Sequence, residues 1–280
     1  LGCMAWAHFQ MGDWKRAGEL CQEVRADEEA PAGLRAIALG VLGLVGAHRG
    51  ELRPARRFLE QAAALMAPHE AVAMELIVLG GLAGVAEMED EPERAESLYR
   101  QLLDLWSKSD DRLDAAAGLC AAVSFFLGRG SEAEASRCVE ALSIMAGSGN
   151  PEARAAFAYA LGETALSHGE ARPAAEFFSR ALSNLEGLEL PLLRATAAFR
   201  EGVALVRAGD LDPGVERLRD AHGEARRLGA RPLAGRIAVE LARHDTTVGE
   251  ERGAAAVGRG RRAGLTKRQL EVLRLIAAGL

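Results

Sequence analysis

The chain has 280 residues, 49% apolar and only 5% aromatic, with a net charge of −6. That length and apolar content suit a sizeable helical core, whereas the scarcity of rings argues against an aromatic ligand cage or a base-stacking surface. No secretory or transit segment is visible, and the longest uncharged stretch, Ala115–Gly128, is too short to span a bilayer as a helix. A cytoplasmic, reduced protein with no membrane partner is therefore expected.

The chain opens on Leu1, inside an apolar-periodic stretch, and is expected to be a fragment at both ends. Six turn residues then recur along it: Gly12, Gly50, Asp90, Gly130, Gly169 and Gly209. Their spacings of 38, 40, 40, 39 and 40 mark an internal repeat. Aspartate stands for glycine once, and it is among the residues that tolerate a left-handed turn.

Each turn carries the same surroundings. Seven residues before it lie Ala5, Gly43, Ala83, Val123, Gly162 and Gly202, small in all but one case. Five after it lie Ala17, Ala55, Ala95, Ala135, Ala174 and Gly214. Nine after it lie Cys21, Leu59, Tyr99, Val139, Phe178 and Leu218, and twelve after it Val24, Ala62, Leu102, Leu142, Ala181 and Ala221. Offsets that step by four and then three trace one stripe of a helix. The residue after each turn (Asp13, Glu51, Glu91, Ser131, Glu170 or Asp210) suits a helix start, where an acid meets the positive dipole end and a side chain can cap free N–H groups. Each unit reads as an antiparallel helix pair, and stacked pairs make a solenoid because one pair cannot bury its stripe alone.

This signature resembles the tetratricopeptide repeat, most fully at Gly162, Gly169, Ala174, Phe178 and Ala181, and the likeness extends over roughly residues 1–228. The units run 38–40 residues where the family's basic unit has about 34. The resemblance implies an all-α, right-handed superhelical solenoid of six pairs. A further helix, Pro232–His244, would cover the open end, completing a repeat domain over residues 1–244. A groove for a small-molecule or protein effector would run along the first helices, with Arg154, Glu163, Arg194 and Arg200 as its candidate residues. The paired cysteines Cys3/Cys21 and Cys120/Cys138 bracket turns and are expected as buried thiols facing across their hairpins.

Residues 245–263 break the pattern. Glycine and arginine rise and periodic apolar residues vanish, as in a flexible basic linker. Residues 252–280 carry seven basic groups against the single acid Glu271, a charge of +6, which leaves −12 for residues 1–251. A basic tail on an acidic body directs attention to nucleic acid or an acidic partner.

The final stretch, "LTKRQLEVLRLIAAGL", opens with Thr266 and carries Gln269 three residues on, a capping box ahead of the apolar run Leu270–Ala277. Gly279 then stops the helix. With Leu265, Arg268, Glu271, Val272, Leu273, Leu275, Ala277 and Leu280 in the matching places, it resembles the first helix of the LuxR-type helix-turn-helix domain. Residues 264–280 would be the start of that domain, and promoter DNA would be the partner of the complete one. Thr266, Lys267 and Arg268 are candidates for DNA-backbone contact at that helix start. Repeats followed by such a domain resemble the large MalT-like, ATP-binding LuxR-family regulators. The resemblance implies a sensor and oligomerisation region, with self-association as one route to pairing two DNA-binding domains. The alternative is a tetratricopeptide-type interaction scaffold that does not bind DNA.

No catalytic chemistry is expected. "HEAVA" at His69 lacks the second histidine of a zinc motif, "GRGRRAG" at Gly258 has the wrong spacing for a dinucleotide loop, and no lysine stands in a P-loop. No cofactor or metal ligand set is expected in this chain, and the ATPase of the MalT-like family would lie before Leu1.

Overall fold

The computed structural model describes residues 1–66, 72–109 and 113–244. The linker expected at 245–263, the stretch 264–280, and with it Thr266, Lys267 and Arg268, lie outside the described residues. The chain divides into two compact units, Leu1–Ala234 and Gly235–Leu280.

Among the described residues the first unit is all helical. It runs α1 (Gly2–Gln10), α2 (Trp14–Ala26), α3 (Ala32–Arg49), α4 (Leu52–Leu65), α5 (Val72–Met88), α6 (Pro92–Lys108), a 3-10 turn (Leu113–Ala115), α7 (Ala116–Gly128), α8 (Glu132–Ala146), α9 (Pro151–Ser167), α10 (Ala171–Asn184), α11 (Pro191–Arg207) and α12 (Leu211–Leu228). A further helix, α13, covers residues 231–244. Odd and even helices pack in pairs, and each pair packs on the next. The architecture is an all-α solenoid of stacked antiparallel pairs, numbered 1 to 6 from the N-terminus.

All six predicted turn residues take positive φ, from 59° at Asp90 to 91° at Gly209. Each turn closes with the same two hydrogen bonds. In pair 2, for example, Gly50 N–H donates to Ala47 O at 3.0 Å and Glu51 N–H to Gly46 O at 2.8 Å. The second bond reaches back five residues, the signature of a Schellman stop, and it forces the left-handed residue between helices. Of the six residues expected to cap the following helix, Asp13 alone accepts from a helix N–H, that of Arg16 at 3.1 Å. Ion pairs claim two of the others: Glu91 lies 2.8 Å from Arg56 and Asp210 lies 3.2 Å from Arg172.

The repeat signature acquires a packing reason. The small residue seven before the turn faces the large one nine after it. A Cβ on Gly43 would stand 2.5 Å from Leu59 Cγ, one on Gly162 would stand 2.7 Å from the Phe178 ring, and one on Gly202 would stand 2.8 Å from Leu218 Cγ. Leu59, Phe178 and Leu218 are fully buried as a result. Pair 4 is the exception. Val123 already fills that space, so Val139 remains half-buried and the stripe of α8 shifts by one residue to Cys138, which is fully buried.

The cysteines depart from the expectation at Cys3, and Cys120 meets it only in part. Cys21 and Cys138 are buried, and burial pushes their thiols up to about 11 and about 12. Cys120 is partly covered and donates to Ala156 O at 3.4 Å, while Cys3 is exposed. Cys3 shares with Leu1 and Met4 the exposed side of α1, and its turn-facing neighbours Ala5 and Phe9 take the buried side instead.

Candidate interaction surface

The two helices of each pair have different surroundings. First helices pack on one another in succession: α1 on α3, α3 on α5, α5 on α7, α7 on α9. Second helices show no comparable succession. In a curved stack the elements on the inside converge, so the odd helices form the inner layer. Glycine tightens it further. Gly80 of α5 and Gly118 of α7 meet backbone to backbone, such that a Cβ on Gly80 would stand 3.1 Å from Gly118 Cα.

That inner layer is almost free of charge in its middle. Helix α7 carries no charged residue at all. Charges reappear in α9 and α11, which do not approach at backbone level as α5, α7 and α9 do. Side chains bridge the wider gap. Arg200 Nη2 donates to Glu163 Oε2 at 2.8 Å, and its Nε donates to Oε1 of the same carboxylate. Glu163 is only 6% exposed, so this fork holds an otherwise unpaired buried charge. Beside it, buried Glu201 meets Arg217 of α12, whose Nε lies 2.6 Å from Glu201 Oε2 in an ion pair off line for a hydrogen bond. Burial raises the Glu201 carboxyl despite the opposing pull of Arg217.

The four candidate groove residues thus separate into two kinds. Glu163 and Arg200 are brought together as an internal clamp between pairs 5 and 6. Arg154 and Arg194 are exposed, each the fourth residue of its helix and forty positions apart in the repeat register. Neither has an ion pair among the described residues. Arg194 also lines a cleft of about 490 Å³ together with Met11, Gly187, Leu188, Glu189 and Pro191.

The same register holds charges that the motif reading passed over. Arg35 is the fourth residue of α3 and Glu75 the fourth of α5, and Asp114 stands at the corresponding place before α7. Positions 35, 75, 114, 154 and 194 make one row along the starts of the inner helices, of sign plus, minus, minus, plus, plus. The forty-residue spacing was the available signal. Arg35 Nε is buried with no hydrogen-bond partner, so the row is not wholly satisfied from within. Near the row, burial and then Asp114 raise the carboxyl of Glu152.

Among the described residues no group of His, Cys, Asp and Glu side chains could hold a metal ion, and no helix is long and apolar enough to cross a membrane. No family model and no curated protein matches the chain. Solved structures do. BtubC (BKLC) from P. vanneervenii is 17% identical at a TM-score of 0.50, covering 79% of this chain and 90% of that one. A Podosopora anserina chain described as kinesin light chain nearly identical TPR-like repeats is 19% identical at a TM-score of 0.42, covering 73% and 98%. The fold is that of a tetratricopeptide-like repeat solenoid.

Proposed function

We propose that residues 1–244 are a non-catalytic scaffold for protein–protein interaction, and that the row of charges at the inner-helix starts meets the partner. The observation that carries this reading is the pair Arg154 and Arg194. They are exposed, in register along the inner-helix starts, and without an ion pair among the described residues. Two forks on one edge suit carboxylates of an acidic peptide segment, since guanidinium geometry favours bidentate recognition. A photo-crosslinking residue placed at Arg154 or Arg194 should capture a defined protein. The same residue at exposed Lys108 should not. Equal labelling from all three positions would sink the assignment.

A second reading rests on its own observation, the "LTKRQLEVLRLIAAGL" stretch and the +6 charge around it. It makes the scaffold the sensing part of a LuxR-type, MalT-like transcription regulator that acts in the cytoplasm. Promoter binding would fall to the complete C-terminal domain, with Thr266, Lys267 and Arg268 touching the DNA backbone. Its effector, a small molecule or protein, would act through curvature or self-association. The recognition helix of that family follows the first one, so residues 1–280 should bind DNA only weakly and with steep salt dependence. Tight, sequence-selective and salt-resistant shifts by residues 1–280 would contradict this division of labour.

A further inference from the structure

Within the first unit, the turn of pair 1 lies against the far end of the stack. A Cβ at Gly12 would stand 3.0 Å from Pro191 Cγ and 2.5 Å from Leu228 Cδ2. Pro191 opens α11 and Leu228 ends α12. One pair later the arrangement recurs: a Cβ at Gly50 would stand 3.5 Å from Pro232 Cγ, near the start of α13. In both places a bare turn glycine meets the proline at the beginning of an odd-numbered helix. The turn glycines of pairs 4, 5 and 6 (Gly130, Gly169 and Gly209) have nothing within the same 4 Å.

The sequence supplies the cause. Glycines on the inner layer, Gly80 against Gly118 above all, let successive pairs converge strongly. The stack therefore returns on itself within the six pairs, and its first turns meet its last helices. The contact is thin. The cleft of about 490 Å³ separates Met11 from the 187–194 segment right beside it. Few side chains are involved, so separating them exposes far less apolar surface than parting the helices of a pair.

We propose that this seam is a latch that holds the solenoid in its closed turn. Small rotations at each pair-to-pair interface add up along a solenoid, and the seam is where the sum appears. Breaking it opens the turn while every helix pair stays folded.

Spin labels on the full chain test this. In a Cys3→Ser background, cysteines at exposed Lys15 and Arg226 flank the seam. Cys21 and Cys138 stay unlabelled because burial holds their thiols protonated, and the half-covered Cys120 is replaced by serine, which keeps a donor for Ala156 O. Pulsed electron resonance should give one narrow distance for this parent. Adding Leu228→Arg should create a population longer by ~10 Å or more, about one helix diameter, with helical circular dichroism retained. An unchanged distance with helicity retained overturns the latch, as does a parent distribution already broad and centred on long distances. If Leu228→Arg loses its helical signal, Pro191→Ser decides by the same two outcomes, since serine is well tolerated at a helix start.

Discussion

Pairs 3 and 4 are held together differently from pairs 5 and 6. In the former one apolar cluster runs from Leu76 through both pairs and reaches Ala153 and Ala160 of α9. It is built on Tyr99, Phe125 and Phe126, whose rings contact one another at centroid distances of 5.3–6.2 Å. In the latter, smaller clusters form around Phe178 and at Ala158, Ala181 and Ala197, beside other buried apolar groups such as Phe199, Val203 and Leu218. Two buried carboxylates, Glu163 and Glu201, stand in the same region. Apolar area, which is non-directional, thus secures the middle of the solenoid, and at its far end directed ion pairs are added to the buried apolar groups. Directed pairs fix geometry more than they add stability, and the exposed arginines Arg154 and Arg194 sit on the pairs whose geometry is fixed this way.

That contrast can be broken most forcefully from the apolar side. Phe126→Ala should cost about 3–5 kcal/mol, read as a lower midpoint in urea, because its ring is fully buried. Arg200→Ala should cost about 3 kcal/mol by stranding Glu163. Replacing both by Met and Leu should recover most of that loss while altering crosslinking from Arg194. A double variant as unstable as Arg200→Ala alone would show that the clamp contributes net stability rather than geometry. Gly162→Ala should cost about 1–3 kcal/mol through overpacking on Phe178, and its mate Phe178→Leu should relieve part of the strain in a double-mutant cycle.

The smallest effect is one of pH. A carboxyl raised in the folded state binds its proton more tightly there than in the unfolded chain. Its contribution to stability is therefore full below the unfolded pKa and is lost as pH climbs through the folded one. Glu201→Gln should flatten the decline in stability that begins in the ordinary carboxylate range and continues above it. An identical pH profile for parent and variant in urea titrations would rule out Glu201 as its source.

Much of this was readable in advance, and the reasons are local. A left-handed turn closed by a Schellman stop needs glycine or a tolerant residue, so the turns announce themselves every forty residues. The small residue before each turn and the large one after it are visible as a spacing. The shift in α8 was not, because it depends on Val123 occupying a space that belongs to another helix. The cap on α9, where Asn150 Oδ1 accepts from Ala153 N–H at 3.1 Å, lay outside the repeat register and escaped notice. Arg35 and Glu75 were legible but overlooked, since charge on a helix start is usually just solvated. The clamp could not be foreseen either: Glu163 and Arg200 were singled out as groove residues, but only the wider gap between α9 and α11 makes them each other's partner. The seam joins residues that are far apart in the chain, and no short-range pattern records it.

The fit between the residue before each turn and the residue after it also bears on how such a chain can be recombined. Pairs that share the glycine-and-large-side-chain arrangement, such as 2, 5 and 6, are compatible in design and could be exchanged as whole modules. Pair 4 cannot be spliced by halves. An α7 carrying Val123 joined to a foreign second helix would drive a leucine or phenylalanine into a place already filled, so the two helices must travel together as one inheritable unit.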